Sequence, residues 1–257
     1  MRGPKLIFGW ICTLGWGAST GLGTSLEDAP PVETIVARYV EEMGGAAALQ
    51  SLESVRFSAT MTPAEGQPRE LLVIKKRPNK YRLVMSQGAE RLVRSFDGEV
   101  AWQVLPGQDW SQASEMPPAE AAEFIRAAPL ESRLLDPQDL GLRLELRDVV
   151  NVVGRPCYQI RVSSPEGDFS DHYVDAEDYV ERQIVNYVPG ANGEVLEAAT
   201  YPSDYRSVDG VLFAFRILRR FNDENQTEIR VHDIDVNAGV MDSVFAKPSG
   251  RFSLGGD

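Results

Sequence analysis

The chain has 257 residues, 43% hydrophobic and 25% charged, with 26 Lys plus Arg against 38 Asp plus Glu and a net charge of −12. These proportions exclude a wholly disordered chain, a collagen-like repeat and a polytopic membrane protein. The acidic balance argues against nucleic acid as a partner, and two cysteines cannot frame a disulfide scaffold.

Arg2 and Lys5 precede an apolar run from Leu6 to Ala18, and small residues follow at Ser19, Gly21 and Gly23. A basic start, an apolar stretch and a small-residue exit are the parts of a secretory signal, with cleavage expected between Ser19 and Ser25. The run is too short for a membrane helix, which needs about 20 apolar residues. Trp10 and Ile11 precede Cys12, where a lipidation site would want a small residue, so Cys12 reads as an ordinary apolar position. Gly17-Ala18-Ser19-Thr20-Gly21 matches a nucleophile-elbow pattern, but that motif has meaning only on a strand–turn–helix.

From Val32 the spacing turns helical. Ile35, Val36, Tyr39, Val40 and Met43 share one face, and Gly44-Gly45 ends the helix. A second short helix or turn is expected over Ala46 to Leu52. At Ser54 the period changes to two: Val55, Phe57, Ala59 and Met61 alternate with Arg56, Ser58 and Thr60. Arg69 to Lys76, Tyr81 to Ser86, Arg91 to Phe96 and Val100 to Leu105 continue a meander, with Asp97-Gly98 as a hairpin signal. Pro117 to Ala128 predicts a helix, and Arg133 to Leu140 a turn. Strand patterning resumes at Leu142 and recurs over Val149 to Val153, Tyr158 to Val162, Phe169 to Asp175, Tyr179 to Tyr187, Leu196 to Tyr201, Val211 to Phe221 and Thr227 to Val236. The sum is about 11 strands, spaced as in a barrel or sandwich. The chain divides into a signal peptide (1–23), one β-rich domain (24–248) and a flexible tail (249–257).

Several segments resemble the LolA-like superfamily of periplasmic lipoprotein-sorting carriers and their relatives. They are Ile35 to Val55 (IVARYVEEMGGAAALQSLESV), Lys76-Arg77-Pro78-Asn79-Lys80, Phe96-Asp97-Gly98 with Trp102, and Tyr205 to Val211 (YRSVDGV). Together they span most of residues 33–237. The resemblance implies an open half-barrel of antiparallel strands whose concave face is covered by helices. In the carriers an apolar cavity between sheet and helices holds acyl chains. The chain is longer than a typical carrier and lacks the lipid-anchoring cysteine of the receptor branch, and no functional residue of the carriers aligns to a single position here.

A half-barrel leaves one face to be filled. Filled with side chains it is a core; filled incompletely it is a pocket that takes lipid tails. The candidate lining residues are Phe57, Met61, Tyr81, Leu83, Met85, Trp102, Phe213 and Phe215; for each the competing and favoured reading is ordinary core, since any half-buried strand needs alternating apolar residues. His172 and His232 each sit beside an aspartate, Asp171 and Asp233, but adjacent strand residues point to opposite faces, so neither pair forms a dyad. No metalloprotease, CxxC or phosphate-loop motif follows the leader, so no catalytic residue, cofactor or metal is expected. Asn222 to Asn225 reads as a polar turn and Cys157 as an inert thiol. The expected function is a periplasmic carrier or binder of a lipid or lipoprotein. The alternative is an envelope sensor or adaptor that binds a partner protein on the same fold.

Overall fold

The alternation of apolar and polar residues is realised as one antiparallel sheet. The computed structural model describes residues 25–130, 132–135, 141–189, 194–221 and 224–248. The expected signal peptide (1–23), the tail (249–257), and parts of the expected turns at 133–140 and 222–225 lie outside the described residues. The strands are β1 (Ser54–Pro63), β2 (Arg69–Lys76), β3 (Lys80–Gln87), β4 (Glu90–Phe96), β5 (Ala101–Val104), β6 (Ser114–Glu115), β7 (Arg143–Val152), β8 (Arg155–Ser163), β9 (Phe169–Asp175), β10 (Glu181–Pro189), β11 (Val195–Val208), β12 (Val211–Phe221) and β13 (Glu224–Val236). Their order is β6-β5-β4-β3-β2-β1-β13-β12-β11-β10-β9-β8-β7, so the sheet is open, with β6 and β7 at its ends. The count among the described residues is 13, against about 11 expected. β6 has two residues, too few to show a period, and it adds to the count, whereas the runs at Leu142 and Val149 merge into one strand, β7, kinked by a bulge between Leu146 and Asp148, which lowers it.

Among the described residues three α-helices cover one face. In α1 (Val32–Glu42) the 3.6-residue period buries Ile35 and Tyr39 against Leu134 and the β8–β9 side chains Tyr158, Ile160, Val162 and Val174. α2 (Gly45–Gln50) follows at once and buries Leu49. α3 (Pro118–Arg126) carries proline at its first position and packs Phe124 against Phe96, Ala101, Tyr81 and Leu83. That face is concave. Tyr81 and Leu83 of β3 line one cavity together with Ala198 of β11, five positions away in the sheet order. On a flat sheet those strands would lie about 24 Å apart, farther than one cavity of 320 Å³ could bridge. No helix among the described residues is long and apolar enough to cross a membrane.

The other face is crossed by the segment after β13. Pairing register assigns side chains to faces here. Ile74, Arg82, Ser95 and Trp102 form one row across β2–β5, and Lys75, Tyr81, Phe96 and Ala101 the next. Neighbouring rows point oppositely. Trp102 is therefore on the convex face, away from the cavity the sequence reading gave it.

Gly44 joins α1 to α2 with φ +122°, and a Cβ there would lie 2.3 Å from the Gly210 carbonyl oxygen. The close approach is fixed by the Leu212 N–H, which donates to the Met43 carbonyl at 3.0 Å. Gly44→Ala meets both a positive φ and a backbone clash, so a loss of about 2 kcal/mol is expected in urea unfolding. An unchanged midpoint would show that the helical pair does not rest on the β11–β12 turn.

Candidate functional site

Two cavities of similar size, formed by the described residues, lie on the concave face. The first, about 310 Å³, lies among α1, α2, the segment residues Pro129, Leu130, Ser132 and Leu135, and β10–β12. Its wall is largely apolar: Met43, Leu49, Leu52, Leu130, Phe213 and Ile217 contribute. The second, about 320 Å³, lies among α3, β3–β4 and β10–β12, where Tyr81, Leu83, Phe124, Val188 and Ala198 meet Arg94, Arg126 and Arg219. Tyr81 stacks on Phe124 at 4.4 Å. Residues 127–130 contribute to both, Ala127 to the second and Pro129 and Leu130 to the first. The α3 helix and the chain after it therefore lie over the trough without filling it.

One end of the first cavity is polar. The Tyr39 hydroxyl donates to Glu181 Oε2 at 3.0 Å, and the Ser132 hydroxyl donates to Oε1 at 3.3 Å. His172 Nδ1 lies 2.6 Å from the same Oε1, and its Nε2 is 3.0 Å from the Ser170 hydroxyl. The Tyr205 hydroxyl donates to the Glu181 carbonyl at 2.8 Å. Burial first, and the Glu181 charge second, push the Tyr39 and Tyr205 phenols well above their ordinary range, so both stay protonated donors. Ser170, His172 and Glu181 stand in the order of a nucleophile relay. However, Ser170 is wholly buried, and neither it nor His172 lines a described cavity. The arrangement ties α1 and residue 132 to the sheet. Asp171 faces the opposite way and receives both forks of Arg161 at 2.8 Å. His232 is at the β1–β13 bulge, 2.7 Å from the Thr60 hydroxyl. Among the described residues no group of three His, Cys, Asp or Glu is placed to hold a metal.

The eight candidate residues distribute unevenly. Phe213 lines the first cavity, and Tyr81 and Leu83 line the second. Phe57 and Phe215 pack beneath them with Leu52, Val55, Ile234 and Leu130 as core. Met61 and Met85 lie on the same face nearer the strand ends, Met85 in a separate recess of about 130 Å³ beside Arg69. Trp102 is the correction: it is fully buried on the convex face, and its indole N–H donates to the Phe245 carbonyl at 2.8 Å. The residues missed were Leu130, Ile217 and the three arginines. Arg219 was within reach, because it continues the Phe213, Phe215, Ile217 alternation by two residues.

The convex side carries a wider cleft of about 620 Å³ by the β7–β8 turn, with Arg155, Arg182, Arg216 and Arg220 on its wall. Three of these are held by carboxylates: Arg155 and Arg182 by Asp175 and Asp178, Arg216 by Glu228. Arg220 lies over the Tyr201 ring at 5.3 Å.

No family model matches the chain. No curated protein matches it. Solved structures do. A DUF1329 family protein from Desulfovibrio piger is similar with TM-score 0.59 and 13% identity, over 85% of this chain and 98% of that one. A protein from Vibrio parahaemolyticus named as a putative outer membrane lipoprotein-sorting protein domain gives 0.58 and 12% over 84% and 98%. A LolA superfamily protein from Nitrosomonas europaea gives 0.57 and 12% over 85% and 99%. The fold of this chain is LolA-like, an open half-barrel.

Proposed function

We propose that the protein is a periplasmic carrier or binder of an acylated ligand, a lipid or lipoprotein, acting by burial of acyl chain and without covalent chemistry. The observation that supports this most is the incompletely covered trough: cavities of about 310 and 320 Å³ under helices that rest on an apolar sheet face. Each is at the lower end of the range for small-molecule sites, roughly 300–1,000 Å³. Each methylene moved from water into such a site contributes about 0.8 kcal/mol, so a chain of a dozen carbons supplies ample driving force. The fold shared with a lipoprotein-sorting domain is in keeping with it, as is the leader that would direct export.

Native mass spectrometry on protein purified without detergent tests this. An adduct of acyl-lipid mass is expected, and Phe213→Ser should remove it while the protein stays folded, because Phe213 is half-buried at the cavity wall. A clean apo mass with no uptake of added lipid or lipopeptide would sink the carrier reading. The adaptor reading has one observation of its own. β7 ends the sheet with ten residues whose outer edge pairs with no strand among the described residues, a template for an added strand of a partner.

A further inference from the structure

The geometry points to an anionic amphiphile as the ligand of the trough, its oxyanion held by Arg94, Arg126 and Arg219 at the mouth of the second cavity and its acyl chain laid along Tyr81, Leu83, Phe124 and Val188. This rests on the carrier reading and narrows it.

The chain as a whole is acidic, with a net charge of −12, yet this mouth gathers three arginines against Glu120 and Glu123. The arginines come from three elements: Arg94 from β4, Arg126 from the last turn of α3 and Arg219 from β12. Their convergence depends on the curvature that brings the two halves of the sheet together. Arg94 gives one nitrogen to Glu120 at 2.6 Å, but its Nε is buried and has no hydrogen-bond partner among the described residues. A buried guanidinium N–H without an acceptor is uncommon in a folded protein and marks a place where an acceptor belongs. Arg126 and Arg219 are exposed, and among the described residues neither makes an ion pair. The convex cleft shows the contrast, since three of its four arginines already have carboxylates. Arginine forks bind phosphate and carboxylate oxygens bidentately, so both headgroup types fit. The apolar lining begins directly beside the charges, with Leu83 next to Arg94 in register and Phe124 two residues before Arg126 on α3. Charged mouth and apolar channel together describe one amphiphile.

Isothermal titration with the purified protein tests this, using three probes matched in a 14-carbon acyl chain and kept below micelle formation. They are a lysophosphatidylglycerol, the free fatty acid and the neutral monoacylglycerol. At least one anionic probe should bind about tenfold more tightly than the neutral one, as charge-assisted hydrogen bonds imply. Which of the two does so identifies phosphate or carboxylate as the preferred head. The preference should shrink severalfold in the Arg126→Gln/Arg219→Gln double variant, whose side chains are exposed, and at high salt. Glu120→Gln should strengthen anionic binding, because it removes a like charge and frees the Arg94 fork. Equal affinities in the wild type, or a preference unchanged in the double variant, would overturn the headgroup assignment and leave acyl burial standing. Absence of binding by all three probes would overturn the carrier reading and this one with it.

Discussion

Replacing Asp175 by alanine is expected to cost the fold about 3–5 kcal/mol, the range for removing one partner of a buried ion pair. Asp175 has no solvent exposure. Its Oδ2 receives Arg155 Nε at 2.7 Å and Arg182 Nε at 2.9 Å. Its Oδ1 receives Arg155 Nη2 at 3.0 Å and the backbone N–H groups of Glu177 and Asp178 at 2.9 and 3.3 Å. Burial alone would raise the carboxyl, but these donors outweigh it and hold the group down at about 2. Alanine leaves two guanidiniums and two backbone donors without that acceptor, and it unties β8, β9 and β10 at one point. Asp175→Asn keeps the shape and loses the charge, so its loss should be smaller.

The sign of the pH dependence follows from the depressed value. Asp175 stabilises the protein fully above its unfolded value near 3.8, and that stabilisation disappears as pH falls through about 2. The interval corresponds to about 2 kcal/mol at neutral pH. Asp242 titrates in the same window, held at about 2 by Lys76 and Lys80, but it is largely exposed. Its pairs are screened, so Asp242→Asn should move the acid-unfolding midpoint less than Asp175→Asn does. An acid midpoint that ignores Asp175→Asn would show that the five-donor cage does not persist in solution.

The strands were legible because half-buried strands must alternate, and the face assignment of β9 shows how far that goes. In Asp171-His172-Tyr173-Val174-Asp175 the period of two separates the aspartates from the histidine, and the structure keeps them apart. The partners were not legible. Which arginine meets Asp171, and that Glu181 meets His172, depend on register across β8–β10, which a hairpin loop sets and no single strand records. Trp102 shows where alternation fails. All four residues of β5, Ala101 to Val104, are buried because both faces are covered there, so the pattern carries no direction. Pro202 and Asp204, with φ +53°, interrupt β11, which nevertheless continues to Val208. The expected strand stopped at Tyr201, directly before Pro202. Whether the concave face is filled or left open lay beyond sequence reasoning, because it depends on the gap between α3 and strands half a sheet away. Arg219 was visible as an alternating position, while its meeting with Arg94 and Arg126 was not.

Phe245→Ala is the second large effect expected, about 3–5 kcal/mol by the loss of a buried aromatic ring and the cavity left behind. Phe245 and Trp102 are both fully buried, and the Phe245 carbonyl accepts from Trp102 Nε1 and from the Ser95 hydroxyl at 2.9 Å. Arg82 Nη1 donates to the preceding carbonyl of Val244, and its guanidinium lies over the Trp102 and Trp110 rings at 5.6 and 5.4 Å. Deleting the ring loosens the segment that seals β3–β5, so Trp102 should gain water contact and its emission should shift to the red. Phe245→Leu retains most of the apolar volume and should lose much less. Under the carrier proposal, acyl-ligand uptake at a temperature where Phe245→Ala is still folded should match the wild type, because the whole cluster is on the convex face. A variant that loses uptake in proportion to its stability would mean that the convex seal and the concave trough are coupled through the sheet. Uptake unchanged with the red shift present would show that the two faces act independently, one holding the half-barrel in shape and the other left free for the proposed ligand.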